Sequence, residues 1–250
     1  VKANANPKVL SIIRENYLGA DCVSGGEIRA AIKAGFPASK IVFAGVGKAD
    51  WEINLGLDND IFCFNVESVP ELEVIDELAA AKGKKARVAL RINPNVSANT
   101  HHYITTGLNE NKFGINLSEL DKVTDLVKSL ANVELVGIHF HIGSQITDMT
   151  PYQDLCVKVN EIQEHFESRG VALMHINVGG GLGINYNGDT PPAADDLWAQ
   201  LLAKMDALRG LHSGSVSVVS GEGFAQELID GPIRQFRLQH PGVSVSLEIY

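Results

Sequence analysis

The chain has little of what would mark a secreted, membrane-bound or nucleic-acid-binding protein. It holds only three cysteines, Cys22, Cys63 and Cys156, at scattered positions. An odd, unpatterned count excludes a disulfide framework, offers no zinc spacing and fits a reducing cytoplasm. Basic residues are a minority: 21 Lys and Arg stand against 30 Asp and Glu, a net charge of -9. No basic stripe appears, so nucleic acid is not an expected partner. No apolar run reaches the roughly 18 residues that suit a bilayer, so no membrane is expected either. Walker and G-x-G-x-x-G sequences are absent, which leaves nucleotide sites without their usual signatures.

The 250 residues present, 45% of them hydrophobic, suit one α/β barrel or two smaller domains. Strand-like segments at Val1–Asn4, Ala20–Ser24, Ile41–Ala44, Ile61–Val66, Arg87–Asn93, Val136–Gly143 and His175–Gly179 are short and apolar on both faces. Such strands belong to a parallel sheet covered on both sides. Helical stretches at Pro7–Tyr17, Gly26–Gly35, Ser68–Ala81, Ser118–Leu130 and Thr150–Arg169 lie between them. Ser68-Val-Pro-Glu71 reads as a capping box, with Ser at the N-cap and Glu at N3. The repeating β-α unit predicts a (β/α)n barrel or a doubly wound sheet. In a barrel, chemistry gathers at the carboxyl ends of the strands. Lys2, Asp21, Arg91, His141 and Gly179–Gly181 all fall at or just past such ends.

A lysine at the end of an inner strand can form a Schiff base with a carbonyl cofactor. Lys2 alone is more often a solvated charge; its company gives it weight. His139 and His141 share one strand face by period two, in Gly137-Ile-His-Phe-His-Ile-Gly-Ser-Gln145. They read as metal ligands, as a neutral imidazole against an aromatic cofactor, or as satisfied buried histidines. No carboxylate or cysteine cluster completes a metal site, so no metal is expected. Gly143-Ser144 and Gly179–Gly183 both follow strands, where exposed N–H groups bind phosphate oxygens and where glycine also serves plain turn geometry. Arg91 is a charge inside an apolar strand and requires a carboxylate or phosphate partner. Glu27, in the first turn of a helix, reads as a cap.

These residues together resemble the fold-type III pyridoxal-phosphate decarboxylases. The resemblance runs from Val1 to about Pro192. It rests on Val1–Asn6, Asp21–Glu27, Leu90–Pro94, Thr100–Gly114, Gly137–Gln145 and Gly179–Gly183. Thr100–Gly114 and Gly137–Gln145 are closer to the branch that acts on diaminopimelate than to those acting on ornithine or arginine. The resemblance implies a (β/α)8 TIM-type barrel with pyridoxal 5'-phosphate as cofactor. Lys2 would carry the cofactor and His141 would stack on its ring. Ser144 with Gly179, Gly180 and Gly181 would hold the phosphate. Asp21, Glu27 and Arg91 would form the surrounding polar shell. The implied reaction is decarboxylation of meso-2,6-diaminopimelate to L-lysine in the cytoplasm, by an enzyme that is a homodimer at full length. Another basic amino acid as substrate, or a non-catalytic cofactor-binding or effector-sensing protein, is the alternative.

The resemblance departs near the end. The family's E-P-G-R motif is missing, and Ser217-Val-Val-Ser-Gly-Glu-Gly-Phe224 stands in its place. Glu222 is positioned to replace the family glutamate, but Phe224 cannot replace its arginine. Residues 205–250 resemble the start of a LysR-type regulator's effector-binding domain. The expected division is a barrel domain at 1–195 and a divergent or foreign β-α-β tail at 196–250, joined near Asp195–Leu208. The alternative is a divergent decarboxylase whose last strand is Ser215–Ser220. In either case Ser215–Ser220 is expected to cover an open sheet edge, beside Val1–Asn4 or His175–Gly179. A chain that opens one residue before its reactive lysine reads as a fragment, expected to bind cofactor weakly and turn over slowly.

Overall fold

The structure is a computed structural model and describes residues 1–96, 113–185, 214–220 and 243–249, the last two segments as strand backbone. The elements alternate: α1 (Pro7–Glu15), β1 (Ala20–Cys22), α2 (Gly25–Lys33), β2 (Ile41–Phe43), α3 (Asp50–Asp58), β3 (Cys63–Val66), α4 (Val69–Ala81), β4 (Ala86–Asn93), β5 (Ile115–Asn116), α5 (Leu120–Ser129), β6 (Val133–His139), α6 (Thr150–Ser168), β7 (His175–Asn177), β8 (Gly214–Ser220) and β9 (Val243–Ile249). The sheet runs β1-β2-β3-β4-β6-β7-β8-β9, with β5 pairing β4 off that path. Every pairing is parallel. The last strand, β9, comes up beside β1, so the sheet curls round toward its own first edge. This is the α/β barrel architecture that the β-α periodicity predicts.

Period-two alternation divides the strands between two environments. One set of side chains, including Ile41, Phe43, Phe64, Val66, Leu90, Ile138, Phe140 and Ile176, packs outward against the helices in one large core. The helices return Leu10, Ile28, Ile53, Leu72, Val123, Leu155 and Phe166 to that core. Inside the curl a separate, thin apolar layer is made by Val42, Cys63, Ala89 and Val136, with Phe62 against it. Among the described residues, the polar side chains buried on the strands or just past them are Asp21, Asn65, Glu67, Asn93, His139, His175 and Asn177. The outer interface supplies most of the apolar burial, and the interior is left for chemistry.

Ser215 pairs with His175, Val216 with Ile176 and Ser217 with Asn177. Ser215–Ser220 therefore covers the β7 edge, one of the two positions expected of it. Val1–Asn4 differs from expectation and is not a strand. Asn4 Oδ1 accepts from the Asn6 N–H at 2.8 Å, and Asn6 Oδ1 accepts from the Lys8 N–H at 2.9 Å. These local bonds turn the main chain into the N-cap of α1 and compete with a ladder. The segment is still tied to the sheet, because the Val1 amino group donates to Asp21 O at 2.7 Å. Helix α3 escapes sequence reading because its apolar face is weakly periodic and interrupted by Gly56. A Cβ there would sit 2.8 Å from the Phe64 ring, so the helix needs glycine to lie close to β3.

Candidate active site

The register across the inner face assembles two rows. Ala89, Gly137, His175 and Ser215 form one, and Arg91, His139, Asn177 and Ser217 the next, nearer the carboxyl ends. Gly137 is small because a Cβ would meet His175 O at 2.2 Å. His141 follows β6 and Gly179 follows β7, so both lie beyond the second row. No group of three or more potential metal ligands occurs among the described residues.

The histidines are held neutral. His139 is 5% exposed, and burial, then the Arg91 charge, hold its imidazole well below the usual histidine range. His141 is lowered to about 4, first by burial, then by Arg91 and Lys2. That places Lys2, Arg91 and His141 within electrostatic reach at one end of the sheet. Lys2 itself is exposed. Asp21 is buried on β1, next to the chain segment that carries Lys2. His175, below, is lowered to about 4 by burial and meets the Phe62 ring edge-on at 5.0 Å.

Arg91 has the carboxylate partner that its place in an apolar strand demands. Its Nη1 donates to both Glu67 oxygens, at 2.8 and 2.7 Å. A second buried pair lies beside it: Lys48 Nζ donates to Glu71 Oε1 at 2.5 Å and to the Gly45 and Asn65 carbonyls at 2.8 Å. Lys48 and Glu67 are absent from the sequence reading, and Glu71 enters it only as a helix cap. A lysine after Gly45-Val-Gly47 at a strand end, and two glutamates bracketing Ser68-Val-Pro70, were the available signals. The partners are 23 and 24 residues apart, so no local pattern joins them.

Three helix N-termini on this side are closed by their own carboxylates. Glu27 accepts from Val23 N at 2.9 Å, Glu52 from Ala49 N at 3.0 Å and Gly25 N at 2.7 Å, and Glu71 from Glu67 N at 2.8 Å. Glu27 thus serves as a cap. Glu71 reaches one residue further back than a standard capping box, while Ser68 accepts from Glu71 N at 3.4 Å. An anion cannot replace these groups without displacing buried charge.

The turns after β6 and β7 carry no carboxylate and are knitted together. Gly179, Gly181 and Gly143 have φ of 74°, 104° and 144°. A Cβ on Gly179 would lie 2.3 Å from Phe140 O, and one on Gly181 1.9 Å from Gly143 O. Close packing of the two turns therefore accounts for these glycines by itself. Ile146 N donates to Gly181 O and Gly183 N to Ile146 O, both at 2.8 Å. Gln145 sits in the left-handed region at φ 57°, and its amide closes the joint: Nε2 donates to Ile184 O at 2.5 Å, and Oε1 accepts from Ile184 N at 3.1 Å. Gly180 O accepts from the buried Tyr152 hydroxyl at 3.4 Å. Ser144 is exposed at the tip of the first turn. Glu222, Phe224 and most of Thr100–Gly114 lie outside the described residues.

These features fit a flat, anionic, carbonyl-bearing cofactor. A neutral imidazole, an exposed amine, a neighbouring guanidinium and a carboxylate-free pair of glycine turns share one end of the sheet. Two buried interior atoms, Asn65 Nδ2 and His139 Nδ1, have no partner among the described residues.

Comparison with known proteins agrees. The family model described as "Pyridoxal-dependent decarboxylase, pyridoxal binding domain" matches residues 1–224. A diaminopimelate decarboxylase of Bacteroides thetaiotaomicron is 68% identical over 186 residues, covering 74% of this chain and 48% of the relative. One from Helicobacter pylori is 46% identical over 237 residues, covering 92% and 58%. A crystal structure of the Helicobacter pylori enzyme complexed with L-lysine superposes with a TM-score of 0.78 at 35% identity, covering 98% of this chain and 54% of that one. The chain spans about half the length of the relatives it matches. It belongs to the pyridoxal-dependent decarboxylases and contains the pyridoxal-binding domain of that family.

Proposed function

We propose that the full-length protein decarboxylates meso-2,6-diaminopimelate to L-lysine with pyridoxal 5'-phosphate, and that this chain contributes the half that holds the cofactor. One observation carries the reading: His141 follows the row Arg91–His139–Asn177, lies beside the two interlocked glycine turns, and feels the charges of Arg91 and Lys2. The names and titles of the most similar relatives support the substrate.

When bound, the cofactor supplies an electron sink for the pair left behind as CO2 departs. The chain's own residues bind and orient it. Lys2 offers its Nζ for covalent attachment, from an exposed position that an incoming amine can reach. His141 presents an uncharged ring, which avoids like-charge repulsion with a protonated pyridine. Ser144 and Gly179–Gly181 hold the phosphate, and Asp21 and Arg91 shape the surrounding charge. Strands β8 and β9 of the tail extend the sheet toward a closed barrel, a reading supported by the pairing of β8 with β7 and β9 with β8. The family resemblance further implies a cytoplasmic homodimer at full length. No described helix is long and apolar enough to cross a membrane.

The test is CO2 release by the full-length protein, given the cofactor and either diaminopimelate, ornithine or arginine. Release from diaminopimelate at least tenfold faster than from the others is expected. Faster release from ornithine or arginine would move the assignment to that branch, and no release from any of them would contradict catalysis. This chain alone is expected to bind the cofactor with little turnover.

A further inference from the structure

Three charged side chains, Lys48, Glu67 and Glu71, close a ring with the Gly45 main chain at the carboxyl ends of β2 and β3, and Arg91 of β4 is held on it by Glu67. Lys48 is 1% exposed, Glu71 12%, Glu67 4% and Arg91 11%. The Glu67 carboxylate takes the Arg91 guanidinium and also the Gly45 N–H, at 3.3 Å. The Glu67 N–H donates to Glu71, Glu71 takes Lys48, and Lys48 returns to the Gly45 carbonyl. Each link is a hydrogen bond. Burying two ion pairs is at best weakly stabilising, since desolvation offsets most of their attraction. Apolar residues at these positions would serve stability as well, so the ring calls for another use.

Arg91 shows what the ring aims at. It is in register with His139, and its charge is felt at His139 and His141. An arginine side chain has several rotatable bonds, and a site needs its cation fixed within about half an ångström. We propose that Glu67 is the positioning residue of the site. Its carboxylate fixes the Arg91 guanidinium beside the His139–His141 face, and its main-chain N–H locks that carboxylate to the Lys48–Glu71 pair. This rests on the reading of that face as the pyridoxal phosphate site.

The test uses the full chain, with pyridoxal 5'-phosphate as probe and its dissociation constant measured by fluorescence titration. The thermal midpoint without cofactor is recorded in parallel. Glu67→Gln removes the charge, and Glu67→Asp keeps the charge but withdraws it by one methylene. Both are expected to weaken binding about tenfold or more, as second-layer partners do in other sites. Glu67→Asp should keep a midpoint close to wild type and shift the His139 imidazole proton signals, which a merely structural role would not do. Should Glu67→Gln fail to fold, the Asp variant decides alone. Wild-type affinity in Glu67→Asp, with unmoved His139 signals, would overturn the proposal. Absence of binding by the unsubstituted chain would overturn the underlying reading instead.

Discussion

At Gly181 the main chain leaves no room for any other residue. Its φ of 104° and the neighbouring Gly143 oxygen, 1.9 Å from a built Cβ, act together. Gly83, at φ 62°, has nothing within 4 Å and isolates the conformational part alone. Gly83→Ala should cost about 1 kcal/mol, and Gly181→Ala about 3 kcal/mol or more, in urea unfolding. Equal losses would mean that the interlocked turns separate at little cost. The histidines give a second prediction at this scale. His141 and His175 stand at about 4 in the folded chain against an ordinary 6.5, so the unfolded chain binds more protons between those values. Stability is therefore fully present above about pH 6.5 and is lost as pH falls toward 4. Each fully buried histidine contributes at most about 1.4 kcal/mol per pH unit in that window. His175→Gln should flatten the urea midpoint's dependence on pH there, and an unchanged slope would contradict its neutrality. Arg91 and His141 were legible in sequence because a charge or paired histidines inside an apolar strand are anomalous. Glu67 and Lys48 were not, because an ion pair across two strands leaves no local trace.

Helices α2 and α4 start alike, with Ser24 or Ser68 at the N-cap and Glu27 or Glu71 reaching back past it. The two carboxylates are nevertheless unequal. Burial pushes Glu71 up in pKa while Lys48 pulls it down, so its charge is bound to that of Lys48. Glu27→Gln should cost about 1 kcal/mol, in the range of a cap. Glu71→Gln should cost about 3 kcal/mol or more, since it strands a lysine that is 1% exposed. Denaturant midpoints of the two variants check this, and equal midpoints would show that Lys48 finds other relief. The capped helix α4 and the β-branched strands β2 to β4 announced themselves by pattern. The Val1–Asn4 segment did not, since an extended reading ignores the side-chain turns of Asn4 and Asn6. Helix α3 was hidden by Gly56, whose role is visible only when Phe64 lies against it.

For the whole molecule, the sequence predicts a parallel β-α sheet with its chemistry at the carboxyl ends of the strands, and the register sets Arg91, His139, Asn177 and Ser217 in one row near those ends. The sheet passes from β7 to β8 to β9 and returns to β1, which carries Asp21 and the tie to Val1. Six ordered motifs, far apart in sequence, were enough to name the family. The end of the chain was less legible, because a short run such as Ser215–Ser220 fits more than one fold. The proposed function requires that this rim of strand ends hold pyridoxal phosphate on Lys2. Lys2 has a rival in Lys48, a buried lysine at the same end of the sheet whose ammonium is engaged by three oxygens. The direct test is to load the chain with pyridoxal 5'-phosphate, reduce with borohydride, digest it and map the added mass. The pyridoxyl mass is expected on the peptide that contains Lys2 and not on the peptide that contains Lys48. Label on Lys48, or an unlabelled Lys2 peptide in a chain that retains the cofactor, would contradict attachment at Lys2.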